Sequence, residues 1–126
     1  MKEIKLKKCA KCGATVEVFE DCKCGSNCGI RCCNEPMQEI KPNSVDCSVE
    51  KHLPKIEVVG KYIVASVDHV MEVEHYIEWI ALEAEGVSGR KYFKAGETAK
   101  AIFPYVSGSK VYAYCNKHGL WCCEVE

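Results

Sequence analysis

No apolar run in this chain approaches the ~20 residues that a membrane-spanning helix requires. The basic opening, Met1-Lys2-Glu3-Ile4-Lys5-Leu6-Lys7-Lys8, lacks the apolar stretch that a signal peptide carries behind such residues. The expectation is a cytoplasmic protein without membrane association, in a reducing compartment that keeps thiols free or uses them for metal. Net charge is also missing: the formal value is −1, so bulk electrostatics gives no reason to expect nucleic-acid binding. No convincing helical periodicity and no internal repeat occurs. Histidine is scarce, with four in 126 residues.

Cysteine is abundant, with eleven residues, an odd number that cannot pair fully within one chain. Cys9, Cys12, Cys22, Cys24, Cys28, Cys32 and Cys33 precede Met37, and Cys47, Cys115, Cys122 and Cys123 are scattered beyond it. Without an export signal, metal binding is a better reading of the early cluster than a disulfide framework. The same stretch holds little aliphatic material beyond Ile4, Leu6, Val16, Val18, Phe19 and Ile30, too little to fold unaided. We therefore expect a metal-stapled module over residues 1–40. The turn-rich Lys41-Pro42-Asn43-Ser44 forms the boundary, and a second domain covers residues 44–126.

Beyond that boundary the residues become β-branched and aromatic. Strand candidates are 55–59, 62–67, 75–82, 91–94, 98–103, 110–114 and 120–125, with Gly60-Lys61 as a two-residue hairpin turn. Gly86, Gly89, Gly96, Pro104, Gly108 and Gly119 punctuate them. Short strands at this spacing predict an all-β fold, an antiparallel sandwich or barrel.

His52, His69, His75 and His118 are candidate metal ligands, with Cys115 forming a Cys-x-x-His pair beside the last. Each is weak evidence alone. On one straight strand His69 and His75 would share a face but stand roughly 20 Å apart, and on a helix they would fall on nearly opposite sides. A shared ion therefore demands a reversing loop at 70–74; otherwise these are two unrelated surface histidines.

Three strings now matter together: Glu50-Lys51-His52-Leu53-Pro54, Glu74-His75-Tyr76-Ile77-Glu78-Trp79-Ile80, and Tyr114-Cys115-Asn116-Lys117-His118-Gly119-Leu120-Trp121. They resemble the hallmark segments of desulfoferrodoxin, the two-iron form of superoxide reductase. Cys9-Ala10-Lys11-Cys12-Gly13, Val16-Glu17-Val18 and Cys32-Cys33-Asn34-Glu35-Pro36-Met37 resemble its desulforedoxin-like N-terminal segment. The likeness runs in order along nearly the whole chain.

The resemblance implies a small desulforedoxin- or rubredoxin-like module followed by an immunoglobulin-like antiparallel β-sandwich. It assigns His52, His69, His75 and His118 to the plane of a catalytic iron, with the Cys115 thiolate axial and the opposite position open. Four neutral imidazoles and one thiolate leave a ferrous site with net positive charge, suited to the anion superoxide. The implied activity is one-electron reduction of superoxide to hydrogen peroxide, with electrons from a rubredoxin-like donor. Lys51 would steer and hydrogen-bond superoxide; Glu50 would occupy the open position after product leaves. Cys9, Cys12, Cys32 and Cys33 would hold a second iron, or zinc in its place, in tetrahedral sulfur geometry. A homodimer through the N-terminal module is also implied. Trp79 and Trp121 are read as core residues walling the catalytic iron.

The chain departs from the family pattern in three places. Cys22-Lys23-Cys24-Gly25-Ser26-Asn27-Cys28 is inserted between the cysteine pairs, and these thiols could replace a ligand, bind another ion or form a disulfide. Val70 follows His69 where the family usually has proline. Cys47, Cys122 and Cys123 have no family role and are read as small, partly buried thiols. The competing functional class is a non-enzymatic iron- or zinc-thiolate electron carrier or metal-binding module, and a nearer rival is dismutase activity at the same iron.

Overall fold

The structure is a computed structural model that describes residues 3–23, 29–44 and 52–126. All regular structure among them is β, so no helix there is long and apolar enough to cross a membrane. The chain divides into two compact units, one formed by Ile4–Lys41 and one by Pro42–Glu126 with the first residues of the chain.

In the smaller unit β1 (Leu6–Lys8) is the centre of a three-stranded antiparallel sheet, between β2 (Thr15–Glu17) and β5 (Gln38–Ile40). A two-stranded hairpin, β3 (Arg31–Cys32) and β4 (Glu35–Pro36), completes it. Ile4, Leu6, Cys9, Val18 and Met37 are buried, whereas Phe19 and Ile30, expected in the core, are exposed at 72% and 39%. So few buried side chains leave this unit dependent on its cysteines.

The larger unit is a sandwich. One sheet has the order β10 (Lys100–Pro104), β7 (Tyr62–Ser66), β6 (Lys55–Val59); the other runs β12 (Gly119–Glu124), β11 (Lys110–Cys115), β8 (Ile77–Ala84), β9 (Val87–Tyr92). All neighbours are antiparallel. Alternation decides the inward faces: Ile63 and Ala65 of β7 and Ala101 and Phe103 of β10 meet Ile80, Leu82, Val111 and Ala113 of the facing sheet in one core. Full burial of such a side chain contributes about 1.5–3 kcal/mol. β6 and β7 are joined through Gly60-Lys61 as expected: Val59 pairs with Tyr62, and Gly60 has the positive φ of 61° that the first turn position needs.

Two expected strands are corrected. β8 starts at Ile77 rather than His75, because the β8–β11 register slips between Tyr114 and Cys115: Tyr114 faces Trp79 and Cys115 faces Ile77. Glu78 is the extra residue of this bulge, and its insertion lets both Ile77 and Ile80 reach the core. β9 runs through Gly89 rather than beginning after it. A Cβ there would lie 3.3 Å from the Phe103 ring, so glycine admits the opposite sheet instead of ending a strand.

Leu82→Ala should destabilise the protein by about 2–5 kcal/mol, while Ile102→Ala, at a site 65% exposed, should change stability by less than about 0.5 kcal/mol. Urea titrations followed by tryptophan fluorescence read both; equal losses would refute this inward-outward assignment.

Candidate metal centres

Each of the expected histidines is delivered by a different piece of chain. His52, 4% exposed, lies in the turn before Pro54 and β6, and His69 follows the end of β7. His75 is held by an isolated bridge in which Glu72 and His75 exchange both backbone hydrogen bonds, at 3.0 and 3.1 Å. That bridge is the reversing loop required at 70–74, and it brings the His69 and His75 ring centroids to 4.6 Å. Cys115 ends β11, fully buried, and His118 sits in the turn to β12. Gly119, with a φ of 80°, supplies the left-handed residue that closes this turn.

The four rings form a closed circuit. Centroids are 4.7 Å apart for His52 and His69, 4.6 Å for His69 and His75, 4.9 Å for His75 and His118, and 4.8 Å for His118 and His52. Adjacent rings stand at 74–89° to each other. His52 and His75 are opposite corners at 6.4 Å, close to the diagonal of a square with those sides. His52 Nε2 is 3.0 Å from His118 Nδ1 and 3.1 Å from His69 Nε2. Cys115 Sγ approaches from one side, 3.6 Å from His69 Nε2 and 3.9 Å from His118 Nδ1.

This donor set fits a metal ion. A square of nitrogens bound at the 2.0–2.1 Å typical of imidazole on zinc would have sides of about 2.9 Å, close to the contacts seen. His69 Nδ1 donates to the Val70 carbonyl at 2.5 Å, which leaves Nε2 as a lone pair turned to the centre. His75 Nε2 is buried with no hydrogen-bond partner among the described residues, a cost that coordination would remove. Burial, and then the neighbouring His118, holds His75 below its ordinary pKa, in the neutral form that binds metal. The His118 backbone N–H donates to Cys115 Sγ at 3.4 Å, which fixes the direction of that sulfur.

Trp121 backs this arrangement. Its ring stacks on His52 at 5.1 Å, and its indole N–H donates to the His118 carbonyl at 3.2 Å. Trp79 does not share that role. It lies on the opposite face of β8 from the core, stacked on Tyr114 at 5.5 Å with the Arg90 guanidinium 4.2 Å from its ring centre.

The second cluster is built on two turns of the smaller unit. Cys9 and Cys12 flank the turn from β1 to β2, where the Gly13 N–H bonds the Cys9 carbonyl at 3.0 Å and the Cys12 N–H points at Cys9 Sγ at 3.5 Å. Cys33 and Asn34 are the two central residues of the β3–β4 turn, with φ of 54° and 62°. Positive φ at both positions makes it a type I′ turn, which usually takes Asn-Gly. Placing a Cys there costs on the order of 1–2 kcal/mol, an expense that serves to aim its thiol.

Cys12 and Cys32 sulfurs are 3.6 Å apart, and those of Cys32 and Cys33 3.9 Å. Tetrahedral thiolates at ~2.3 Å from a metal would be about 3.8 Å apart. The Cys12 backbone N–H lowers the Cys9 pKa to about 7, while hydrogen bonding among the thiols, with Cys12 first, raises Cys32 to about 12 and raises Cys33.

In each centre the ligand atoms lie within 4.8 Å of one another. Cys22 stands apart from this thiol group in a disulfide, one of the three fates left open for the inserted cysteines. Cys24, Cys28, Cys47, Glu50 and Lys51 lie outside the described residues. Cys122 and Cys123 are free, half-buried thiols; burial raises both pKa values, that of Cys123 to about 11, so they are protonated at neutral pH. The contribution that the sequence reading missed is that of Asn116, which no ligand pattern would single out.

Comparison with known proteins agrees with this geometry. The sequence pattern of the family described as Desulfoferrodoxin matches residues 44–124. A desulfoferrodoxin from Syntrophotalea carbinolica is 40% identical, over 97% of each chain. The superoxide reductase of Treponema pallidum shares the fold over 98% of this chain and 100% of its own, with a TM-score of 0.70 at 22% identity. The reduced form of a point mutant of neelaredoxin, a superoxide reductase from Archaeoglobus fulgidus, matches 67% of this chain and 95% of its own at 28% identity and a TM-score of 0.54. Such likeness along both units places the chain in the desulfoferrodoxin family.

Proposed function

We propose that the chain is a superoxide reductase, catalysing the one-electron reduction of superoxide to hydrogen peroxide. The observation that carries this reading is the square of imidazole nitrogens with Cys115 Sγ on one side of it. Five donors on a plane and one face leave the other face for a ligand, the mark of a catalytic rather than a structural site. Iron held by His52, His69, His75, His118 and Cys115 supplies a one-electron ferrous–ferric couple with net positive charge.

The chain's own groups do the rest. His69 is fixed through Val70, and Trp121 packs over one flank of the square and limits water there. Cys115, fully buried and with its sulfur held by the His118 N–H, would donate electron density as a thiolate ligand to the iron. The reaction balances when superoxide takes one electron and two protons to give hydrogen peroxide. Lys51 is assigned to steer the anion and hydrogen-bond it, and Glu50 to close the open face once product has left. Cys9, Cys12, Cys32 and Cys33 are assigned a second iron, or zinc, with a structural role. The donor is assigned as a small rubredoxin-like protein, the compartment as the cytoplasm, and the assembly as a homodimer, which a monomer's sedimentation coefficient would contradict.

Superoxide consumption should depend on an external reductant and evolve no oxygen from superoxide. Reductant-independent removal with oxygen release would make the protein a dismutase, and no consumption at all an electron carrier. Lys51→Ala should slow the second-order reaction of the reduced protein with superoxide and weaken its salt dependence. Pulse radiolysis across ionic strengths reads this, and an unchanged rate would remove Lys51 from the mechanism.

A further inference from the structure

Asn116 lies between two of the proposed ligands, yet its side chain is engaged with backbone. Its Nδ2 donates to the Glu74 carbonyl at 3.0 Å, and its Oδ1 accepts the Tyr76 N–H at 3.0 Å. Its own backbone N–H donates to the Tyr76 carbonyl at 3.2 Å. These groups bracket His75 on both sides. The N–H and C=O of His75 itself are taken by Glu72. Every backbone polar group from the Glu74 carbonyl to the Tyr76 carbonyl is thus satisfied, and three of these five bonds end on Asn116.

This segment needs such a partner. His75 stands two residues before β8, beyond the bulge that interrupts the β8–β11 ladder, so strand pairing alone does not hold it. The ring offers no help, since Nε2 has no protein partner among the described residues. The Asn116 amide continues the ladder by imitating a peptide group, with a donor and an acceptor side by side. Both ends are used, so a flipped amide would set two donors and two acceptors against each other.

We infer that Asn116 is a positioning residue that fixes His75 relative to the Cys115–His118 turn, and so sets how tightly the centre holds its metal. Aspartate in its place would accept from Tyr76 but turn a second acceptor toward the Glu74 carbonyl. Leucine would keep the shape and lose both bonds. Of the neutral side chains only the longer glutamine carries the same pair of groups, and its extra methylene displaces them.

The inference rests on the proposed iron site, and its test avoids superoxide turnover, so the two readings fail separately. Asn116→Asp and Asn116→Leu should each speed the stripping of ferrous iron from the histidine site by an anaerobic chelator by about 10–100-fold. In a His75→Ala background the same changes should alter that rate by less than about twofold, since the effect passes through His75. An equal factor in both backgrounds would overturn the inference. In the unsubstituted protein with diamagnetic zinc in both centres the Tyr76 amide should exchange with solvent as slowly as the amides of β8 and β11, as read by NMR. Rapid exchange there would also overturn it, whether or not the variants fold.

Discussion

Four imidazole nitrogens and one thiol sulfur converge on a single point of the larger unit, and that convergence is the constraint on which the rest depends. Adjacent nitrogens 3.0–3.1 Å apart, with one turned inward as a lone pair and another buried without a hydrogen bond, are unfavourable without a cation between them. The sandwich makes that arrangement tolerable. Its packed sheets supply the stability, and the turns at the ends of β6, β7, β8, β11 and β12 bring the ligands together. Catalytic side chains on turns at the rim of a rigid scaffold are held in place without disturbing its core.

The smaller unit meets the same problem with sulfur. Hydrogen bonds from Cys12 lower Cys9 and raise Cys32, so these neighbouring thiols compete for protons. A left-handed cysteine in a type I′ turn stores strain that a bound metal would offset. Few apolar side chains are buried there, so a metal held by these thiols would couple its binding to folding. The two centres differ in what they leave open. A closed set of four sulfurs suits structure, while five donors around one face suit a substrate.

Much of this was legible in sequence, because strand alternation and ligand chemistry both leave local marks. The hairpin at Gly60-Lys61 could be read from glycine between β-branched runs. The reversing loop at 70–74 followed from geometry, since two histidines six residues apart reach one ion in no regular element. The bulge at Glu78 left no such mark. It arises from pairing with β11 under the demand that Ile77 and Ile80 both face the core, and it moved the start of β8 past His75. Gly89 was misread for a similar reason, because its role is set by Phe103 from the other sheet. The burial of Met37 in place of Phe19 and Ile30, and the outward stacking of Trp79, likewise depend on neighbours distant in sequence. Asn116 was hidden because its partners are main-chain groups that carry no sequence identity.

The central claim, one iron held by four histidines and Cys115, is tested most directly by the visible spectrum of the anaerobically purified, then oxidised protein together with its metal content. Two metal ions per chain and a long-wavelength thiolate-to-iron charge-transfer band that disappears in Cys115→Ser are expected. A colourless zinc protein, or a band that survives that substitution, would contradict it.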